Sequence, residues 1–364
     1  MRFAVGIVIA CTSCKALLGI EDGVVADPEM DARVDALPDA LLDASACIGP
    51  GDYAICVSPT DERRFLQSVT IDTTLCQDGT VDPRGWCVIA ATTMSIDASL
   101  AIVGSRPVVF FATTSLAVSV NGLVDASSGQ GIFGGTGPGA NPSACPTAGT
   151  GTTAQVGGGG GAGGTLGTRG GNGGFGDSGA TNRGLSTPVV PGAVGLRGGC
   201  KGGNGGAPTA TAGDGGGAVY LVAGENLVIH GAVNASGAGG GKGNASKGGG
   251  SGGGSGGVVF LAAPTILVDG AVWANGGGGG GGADNGAGGS PGGASTAPNV
   301  VGAGGAPGSS LAGRGGNGAF GTAAATDGGN DMTGAGGGGG GGGAGAIRVF
   351  GALSAPGAIS PSPS

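Results

Sequence analysis

The sequence predicts an all-β fold, a right-handed parallel β-helix interrupted by long glycine-rich insertions. Two segments joined mainly by glycine end in the same pattern of residues, at 227–237 and at 266–276. The two copies of this pattern align residue for residue. Alternate positions in both copies are apolar, which is the period of a β-strand. Glycine supplies 95 of the 364 residues, far above its share in ordinary globular domains, and internal repeats of this kind are typical of solenoids.

Two further copies of the pattern are found, at residues 118–129 with one extra serine and at residues 347–357. A glycine recurs in the middle of each copy and is predicted to turn the chain between two short strands, at Gly122, Gly231, Gly270 and Gly351. The predicted apolar rows are Val118, Leu227, Ile266 and Ile347; Val120, Ile229, Val268 and Val349; Val124, Val233, Val272 and Leu353; and Ala126, Ala235, Ala274 and Ala355.

A further apolar segment precedes three of the copies, at residues 108–112, 218–223 and 258–263. Three short strands and two corners per unit are the dimensions of one coil of a parallel β-helix, whose apolar row is buried only when coils stack. The alternative is an antiparallel β-sandwich with long glycine-rich loops. The β-helix is favoured because matching positions recur in the same order within each unit, as parallel stacking requires.

Residues 1–14 are predicted to be a lipoprotein-type signal segment. Arg2 precedes a short apolar core at residues 3–10, and the sequence Val8-Ile-Ala-Cys11 resembles a lipobox. Cys11 fits the lipobox better as the lipidated residue, whereas lipidation of Cys14 leaves an even number of cysteines after it. The choice between Cys11 and Cys14, and an N-terminus without lipid, stay open.

Residues 15–46 are predicted to be a disordered acidic tether. Aspartates recur there at every fourth position, at Asp27, Asp31, Asp35, Asp39 and Asp43. Like charges at this spacing destabilise a helix, and the closing glutamate of an EF-hand is missing. The segment is therefore expected to be solvated.

Residues 47–106 have ordinary composition and are predicted to form a cap and the first strands of the solenoid, with strands at 69–71, 88–89, 94–96 and 100–103. Cys47 and Cys56, and likewise Cys76 and Cys87, are close enough for small disulfide loops, and their spacing does not suit zinc. Cys145 and Cys200 lie in the first insertion and could form a disulfide within it. Six cysteines leave the connectivity open.

The repeats span residues 107–357, with insertions at 130–216, 238–256 and 277–344, and residues 358–364 are expected to be a disordered tail. The sequence Arg169-Gly-Gly-Asn-Gly-Gly-Phe-Gly176 recurs as Arg314-Gly-Gly-Asn-Gly-Ala-Phe-Gly321. Gly-Gly-X triplets suit polyproline II strands that pack closely, because two positions in three lack a side chain. The insertions are thus predicted to be polyproline II-like bundles or ordered loops, with simple disorder as the alternative.

Composition and motifs exclude several functions. A net charge of −8 with 10% charged residues offers no basic surface for nucleic acid. Matches to nucleotide-binding glycine motifs lack the required strand, helix and acidic residue, and calcium-roll repeats do not occur in tandem. We therefore expect no metal, no cofactor and no enzymatic activity.

The nearest approach to a site is His230 with Asp269, which should be neighbours on adjacent coils. A histidine and an aspartate could exchange a proton, although a nucleophile or second acid is lacking. Trp273 lies nearby in sequence and could stack on a sugar ring. The alternative is that all three are ordinary surface or corner side chains.

The order of these segments resembles glycine-rich (PGRS-like) bacterial surface lipoproteins. The resemblance rests on Val8-Ile-Ala-Cys11, on residues 14–22, on the Asp27 to Asp43 tether and on the Gly-Gly-X tracts. It implies a palmitoylated lipoprotein, anchored in the outer membrane and facing the surface or the periplasm; a secreted protein is the alternative.

The expected function is a non-enzymatic structural or adhesive role at the cell surface, with extracellular polysaccharide as a candidate partner. A second hypothesis is a carbohydrate-active or carbohydrate-binding, pectin lyase-like β-helix without a recognisable active site. A third is a module that binds sugar or ice through flat faces, although regular Thr-x-Thr ladders are absent from the sequence.

Overall fold

The computed structural model describes residues 47–129, 135–153, 157–176, 181–189, 195–206, 211–331 and 333–364. The predicted signal segment, the acidic tether and the lipidation candidates Cys11 and Cys14 lie outside the described residues.

The protein is all-β, as predicted, and its one described helical element is a 3-10 turn at Gly51–Tyr53. The strands are β1 (Arg63–Phe65), β2 (Val69–Asp72), β3 (Thr80–Val81), β4 (Cys87–Ala91), β5 (Met94–Ile96), β6 (Ser99–Val103), β7 (Val108–Ala112), β8 (Ser115–Val118), β9 (Leu123–Asp125), β10 (Ala218–Ala223), β11 (Asn226–Ile229), β12 (Ala232–Asn234), β13 (Val258–Val268), β14 (Ala271–Trp273), β15 (Ala346–Ser354) and β16 (Ala358–Ser360). The strands predicted within residues 47–106 are all present.

The strands stack in three tracks, and successive units of the sequence lie beside one another in each. The first track is β4, β7, β10, the front of β13 and the front of β15; the second is β1, β5, β8, β11 and the rear of β13 and β15; the third is β2, β6, β9, β12, β14 and β16. Because β13 and β15 run through two tracks, the first two form one sheet. Every pair within a track is parallel, and β3 with β4 is the antiparallel exception among the described strands. This pairing contradicts the antiparallel sandwich.

The register corrects the predicted alignment of the earliest copy. Val118 pairs with Ile229, not with Leu227, whereas Val124 pairs with Val233 as predicted. The corner between β8 and β9 is longer than the corner between β11 and β12. Val120, predicted to be apolar core, lies in this longer corner and is 77% exposed.

The last copy is also shifted from its predicted alignment. Ile347 pairs with Val259 in the first track and Leu353 pairs with Ile266 in the second. Gly351 therefore lies within β15, and the last corner is at Gly357. The prediction failed because the short apolar segments of different tracks resemble each other.

The C-terminal residues 358–364, predicted to be disordered, include β16. Ile359 of β16 pairs with Val272 and completes the third track. The Ser364 amide then donates a hydrogen bond to the Ile347 carbonyl at 3.0 Å.

The main core lies between the two sheets. Its side chains come from alternate positions of all three tracks, and Leu221, Leu227, Ile229 and Val233 are fully buried. A second apolar cluster covers the outer face of the first track, where Tyr53 packs edge-on against Phe260 with ring centroids 5.0 Å apart. The segment that begins at Cys47 thus lies on the side of the stack, whereas β1 and β2 form its first layer.

Three disulfides link the cysteines of the described chain. Cys47 pairs with Cys56, Cys76 with Cys87, and Cys145 with Cys200. The two predicted small disulfide loops are confirmed, and so is the predicted disulfide within the first insertion. The third disulfide closes the longest loop, with a sequence separation of 55.

Where the strands lead into the insertions, the core side chains become smaller until only backbone lies between the two sheets. Ala126, Ala235 and Ala274 directly follow the third-track strands β9, β12 and β14 and are fully buried. Their carbonyls accept hydrogen bonds of 2.8 Å from Gly217, Gly257 and Gly345 respectively, which lead into β10, β13 and β15. As side chains shrink from valine to alanine to glycine, the two sheets therefore come into direct backbone contact.

Beyond this junction the described parts of the insertions form an ordered bundle of extended glycine segments, which we call the glycine bundle. In the segment 276–283 the hydrogen-bond partner changes with a period of three residues. The amides of Gly276, Gly279 and Gly282 donate to Ala319, Gly316 and Gly313; those of Gly277 and Gly280 donate to Gly254 and Ser251; those of Gly278 and Gly281 donate to Gly293 and Ser290. Three residues per turn is the period of polyproline II.

The same segment accepts hydrogen bonds from three other directions, since its carbonyls at Gly278, Gly279 and Gly280 bind the amides of Gly240, Gly305 and Gly339. It is therefore enclosed by neighbouring segments on all sides. The segments 157–164, 248–256 and 336–345 are surrounded in the same way. These four inner segments are almost pure glycine because neighbouring backbone fills the side-chain direction at their glycines.

Outer segments of the bundle carry a side chain at every third residue, and this explains the repeated Arg-Gly-Gly-Asn motif. Asn172 binds Asp327 through its Nδ2 at 3.1 Å, and its Oδ1 accepts a hydrogen bond from the Ser186 amide at 3.0 Å. The Asn317 Oδ1 likewise accepts a 2.9 Å bond from the Gly304 amide. The asparagines thus fasten neighbouring outer segments together.

Candidate functional site

His230 and Asp269 are neighbours, as the repeat predicts. Each follows the last residue of its second-track strand segment, and Ile229 pairs with Val268 directly before them. The His230 Nδ1 lies 2.7 Å from Oδ1 and 2.8 Å from Oδ2 of Asp269. The side chains are 42% and 40% exposed, so this is a solvated corner pair.

The residues that directly follow the second-track strand segments form a row, which we call the corner row; it continues on the preceding strands with two residues that the repeat did not predict as a site. The Ser119 amide donates to the Ile96 carbonyl, and the His230 amide donates to the Val118 carbonyl, which places Asp97, Ser119, His230 and Asp269 on consecutive strands. Hydrogen bonds from the Ser95 hydroxyl at 2.9 Å and the Arg64 guanidinium at 3.0 Å hold the pKa of Asp97 below its usual range. The row is therefore polar, and its Asp97 carboxylate is held in the ionised form.

The outward face of the second track adjoins this corner row. Leu227, Ile229, Ile266 and Val268 point into the core, so the alternate residues face outward. We call this surface the outer face; its residues are Ser95, Ser115, Ala117, Asn226, Val228, Thr265, Leu267, Ala352 and Ser354, all exposed or half-buried. A shallow cleft of about 410 Å³ lies along it between Asn226 and Ser354. The strand period predicts these outward positions once the register is known.

Trp273, the third predicted ligand-binding residue, does not join His230 and Asp269 at the surface. It lies in the third track between Asn234 and Ser360 and is 6% exposed. Its Nε1 has no hydrogen-bond partner. The ring therefore offers almost no surface to a sugar, which argues against the predicted stacking.

Trp273 belongs instead to a buried polar row on the third track. Asn234 donates a 3.1 Å hydrogen bond to the Asp125 carboxylate, and the Ser360 hydroxyl binds the Asn275 side-chain oxygen at 2.5 Å. These contacts satisfy polar groups beneath the glycine segments and have a structural role.

The part of the chain that the structure describes contains no group of three or more His, Cys, Asp or Glu side chains placed to hold a metal ion. Within the same residues, no helix has the length and apolar character needed to cross a bilayer. Comparison of the chain with protein-family models, curated protein sequences and solved structures finds no match.

Proposed function

We propose that the protein is a non-enzymatic, lipid-anchored surface protein with a structural or adhesive role. In this proposal the three strand tracks form a right-handed parallel β-helix, and the glycine segments are polyproline II helices that extend it. The protein is held at the outer membrane through Cys11 or Cys14 and the acidic tether.

The observation that carries this proposal is the close packing of backbone in the inner part of the glycine bundle. Its four inner segments hold few side chains, the largest being the serines Ser251 and Ser255, and a Cβ at Gly161 or Gly253 would lie 2.0 or 2.1 Å from a carbonyl oxygen. A large share of the sequence therefore serves shape and rigidity. Three disulfides support an exported location, where such bonds persist.

The non-enzymatic assignment is supported by the chemistry of the candidate site. His230 and Asp269 are both solvated and are paired with each other. Catalytic acids and bases usually lie in a cleft, whereas this pair lies at an exposed corner. We therefore assign the pair to the surface of the protein and not to an active site.

Metabolic labelling tests the proposed location. The full chain would be expressed in an outer-membrane bacterium with an alkyne fatty acid, alongside Cys11→Ala and Cys14→Ala, and intact cells would then be treated with protease. We expect lipid label on the wild type and loss of the label in one of the two variants. We also expect the expressed protein to be digested when intact cells are treated with protease. An unlabelled wild type would contradict the lipid anchor, and protection from protease would contradict surface display.

A further inference from the structure

We propose that the outer face of the second track, with its corner row, binds a linear neutral polysaccharide. This inference rests on the proposed adhesive role and gives it a site and a class of partner. It concerns binding alone and includes no cleavage of the polysaccharide.

The outer face has an apolar strip between two polar rows. Val228 and Leu267 are half-buried side by side on β11 and β13. Asn226 and Thr265 flank the strip on one side and are joined by a 2.7 Å hydrogen bond. His230 and Asp269 flank it on the other side. A pyranose ring has an apolar C–H face and hydroxyl groups around its rim, so it matches this alternation of apolar floor and polar edges.

The arrangement repeats along the stack. Asn226 pairs with Ser115 and Thr265, and Thr265 pairs with Ala352, so equivalent positions recur on consecutive strands. Neighbouring strands are about 4.8 Å apart. A polymer with a repeating unit of similar length that lies across the strands would meet an outward side chain of the next strand at each step, most often a small apolar, hydroxyl or amide group. The surface therefore suits a chain of sugars better than a single small molecule.

The charges of the face favour a neutral polymer. The arginine beside this face is already paired, since Arg64 lies 3.0 Å from Asp97, and the His230 ring is hydrogen-bonded to Asp269 at 2.7 Å. An anionic polysaccharide would meet these carboxylates without an unpaired cation on the described face. Paired carboxylates and side-chain amides or hydroxyls are, by contrast, suitable partners for neutral hydroxyl groups.

Affinity electrophoresis and pull-down of the full chain test the site, with cellulose, xylan, chitin and β-1,3-glucan as neutral probes and polygalacturonate as the anionic probe. We expect retention on at least one neutral polymer and none on polygalacturonate. Leu267→Arg should weaken that binding at least tenfold, because it places a long charged side chain on the apolar floor. Leu311→Arg is the control, since Leu311 is 44% exposed on the glycine bundle and its substitution should leave binding unchanged.

His230→Ala provides a second variant should Leu267→Arg fail to fold, which circular dichroism and intact disulfides would reveal. The pair is solvated, so its loss should leave the denaturation midpoint nearly unchanged while weakening binding about threefold or more (about 0.65 kcal/mol). Failure of every neutral polymer to bind, binding only to polygalacturonate, or unchanged binding by the folded variants would overturn the inference. Lipid label and surface display are measured separately, so they would still stand if only the polysaccharide site fails.

Discussion

Gly279→Ala should destabilise the glycine bundle by about 3 kcal/mol or more. A Cβ on Gly279 would lie 2.1 Å from the Gly339 carbonyl oxygen and 2.5 Å from its carbon. Both are backbone atoms of another inner segment, which is itself held by hydrogen bonds to further segments. The clash therefore cannot be relieved by rotating a side chain. Chemical denaturation followed by tryptophan fluorescence, with limited proteolysis of residues 277–344, would measure the loss.

Gly293→Ala is the matched control in the same insertion. The nearest atom to a Cβ at Gly293 is the Ala303 nitrogen at 3.6 Å, which is ordinary van der Waals contact. We expect unchanged proteolysis and a change in unfolding free energy below about 1 kcal/mol, the intrinsic difference between glycine and alanine. Equal stability of the two variants would contradict close backbone packing around Gly279.

Replacing both Cys145 and Cys200 by serine should lower the free energy of unfolding by about 4 kcal/mol, according to the chain-entropy relation for a loop of this length. The sequence separation of 55 is the largest among the three disulfides, so this bridge removes the most entropy from the unfolded chain. The loop it closes contains one inner segment of the bundle, residues 157–164. Guanidinium unfolding and proteolytic cleavage within residues 146–199 would show the effect.

Cys47→Ser with Cys56→Ser is the comparison for the longer bridge. Its sequence separation is 9, for which the same relation gives about 2.6 kcal/mol. The loss should therefore be smaller, and the glycine bundle should stay resistant to protease. If the bundle were cleaved faster after removal of the Cys47–Cys56 disulfide than after removal of the Cys145–Cys200 disulfide, the stabilising role given to the longer bridge would be contradicted.

The sequence predicted the strands because their signal is local. Period-two alternation fixed the inward side chains of β11 and β13, and the superposition of these copies placed His230 beside Asp269. Proximity in sequence also suggested two of the disulfides. The last copy was misaligned because Ile347 and Ile266 have similar surroundings, and only the pairing along the stack distinguishes their tracks.

The packing of the glycine bundle could not be predicted in the same way, because glycine has no side chain that identifies its neighbour. The partners of Gly279 lie in segments far apart in the sequence. One signal does separate inner from outer segments. Uninterrupted glycine, as in residues 276–282 and 336–343, occurs where backbone surrounds the segment, whereas a side chain at every third residue marks an outer one.

Hydrogen–deuterium exchange of the glycine amides tests the central claim most directly, namely that the described parts of the insertions form a rigid bundle. Most amides of the four inner segments donate to neighbouring carbonyls, so peptides covering residues 248–256 and 276–283 should exchange as slowly as those from β10 and β13. Peptides from the ends of the outer segments should exchange faster. Exchange of the inner segments at the rate of an unstructured chain, while the strands remain protected, would contradict the bundle and with it the proposed structural role.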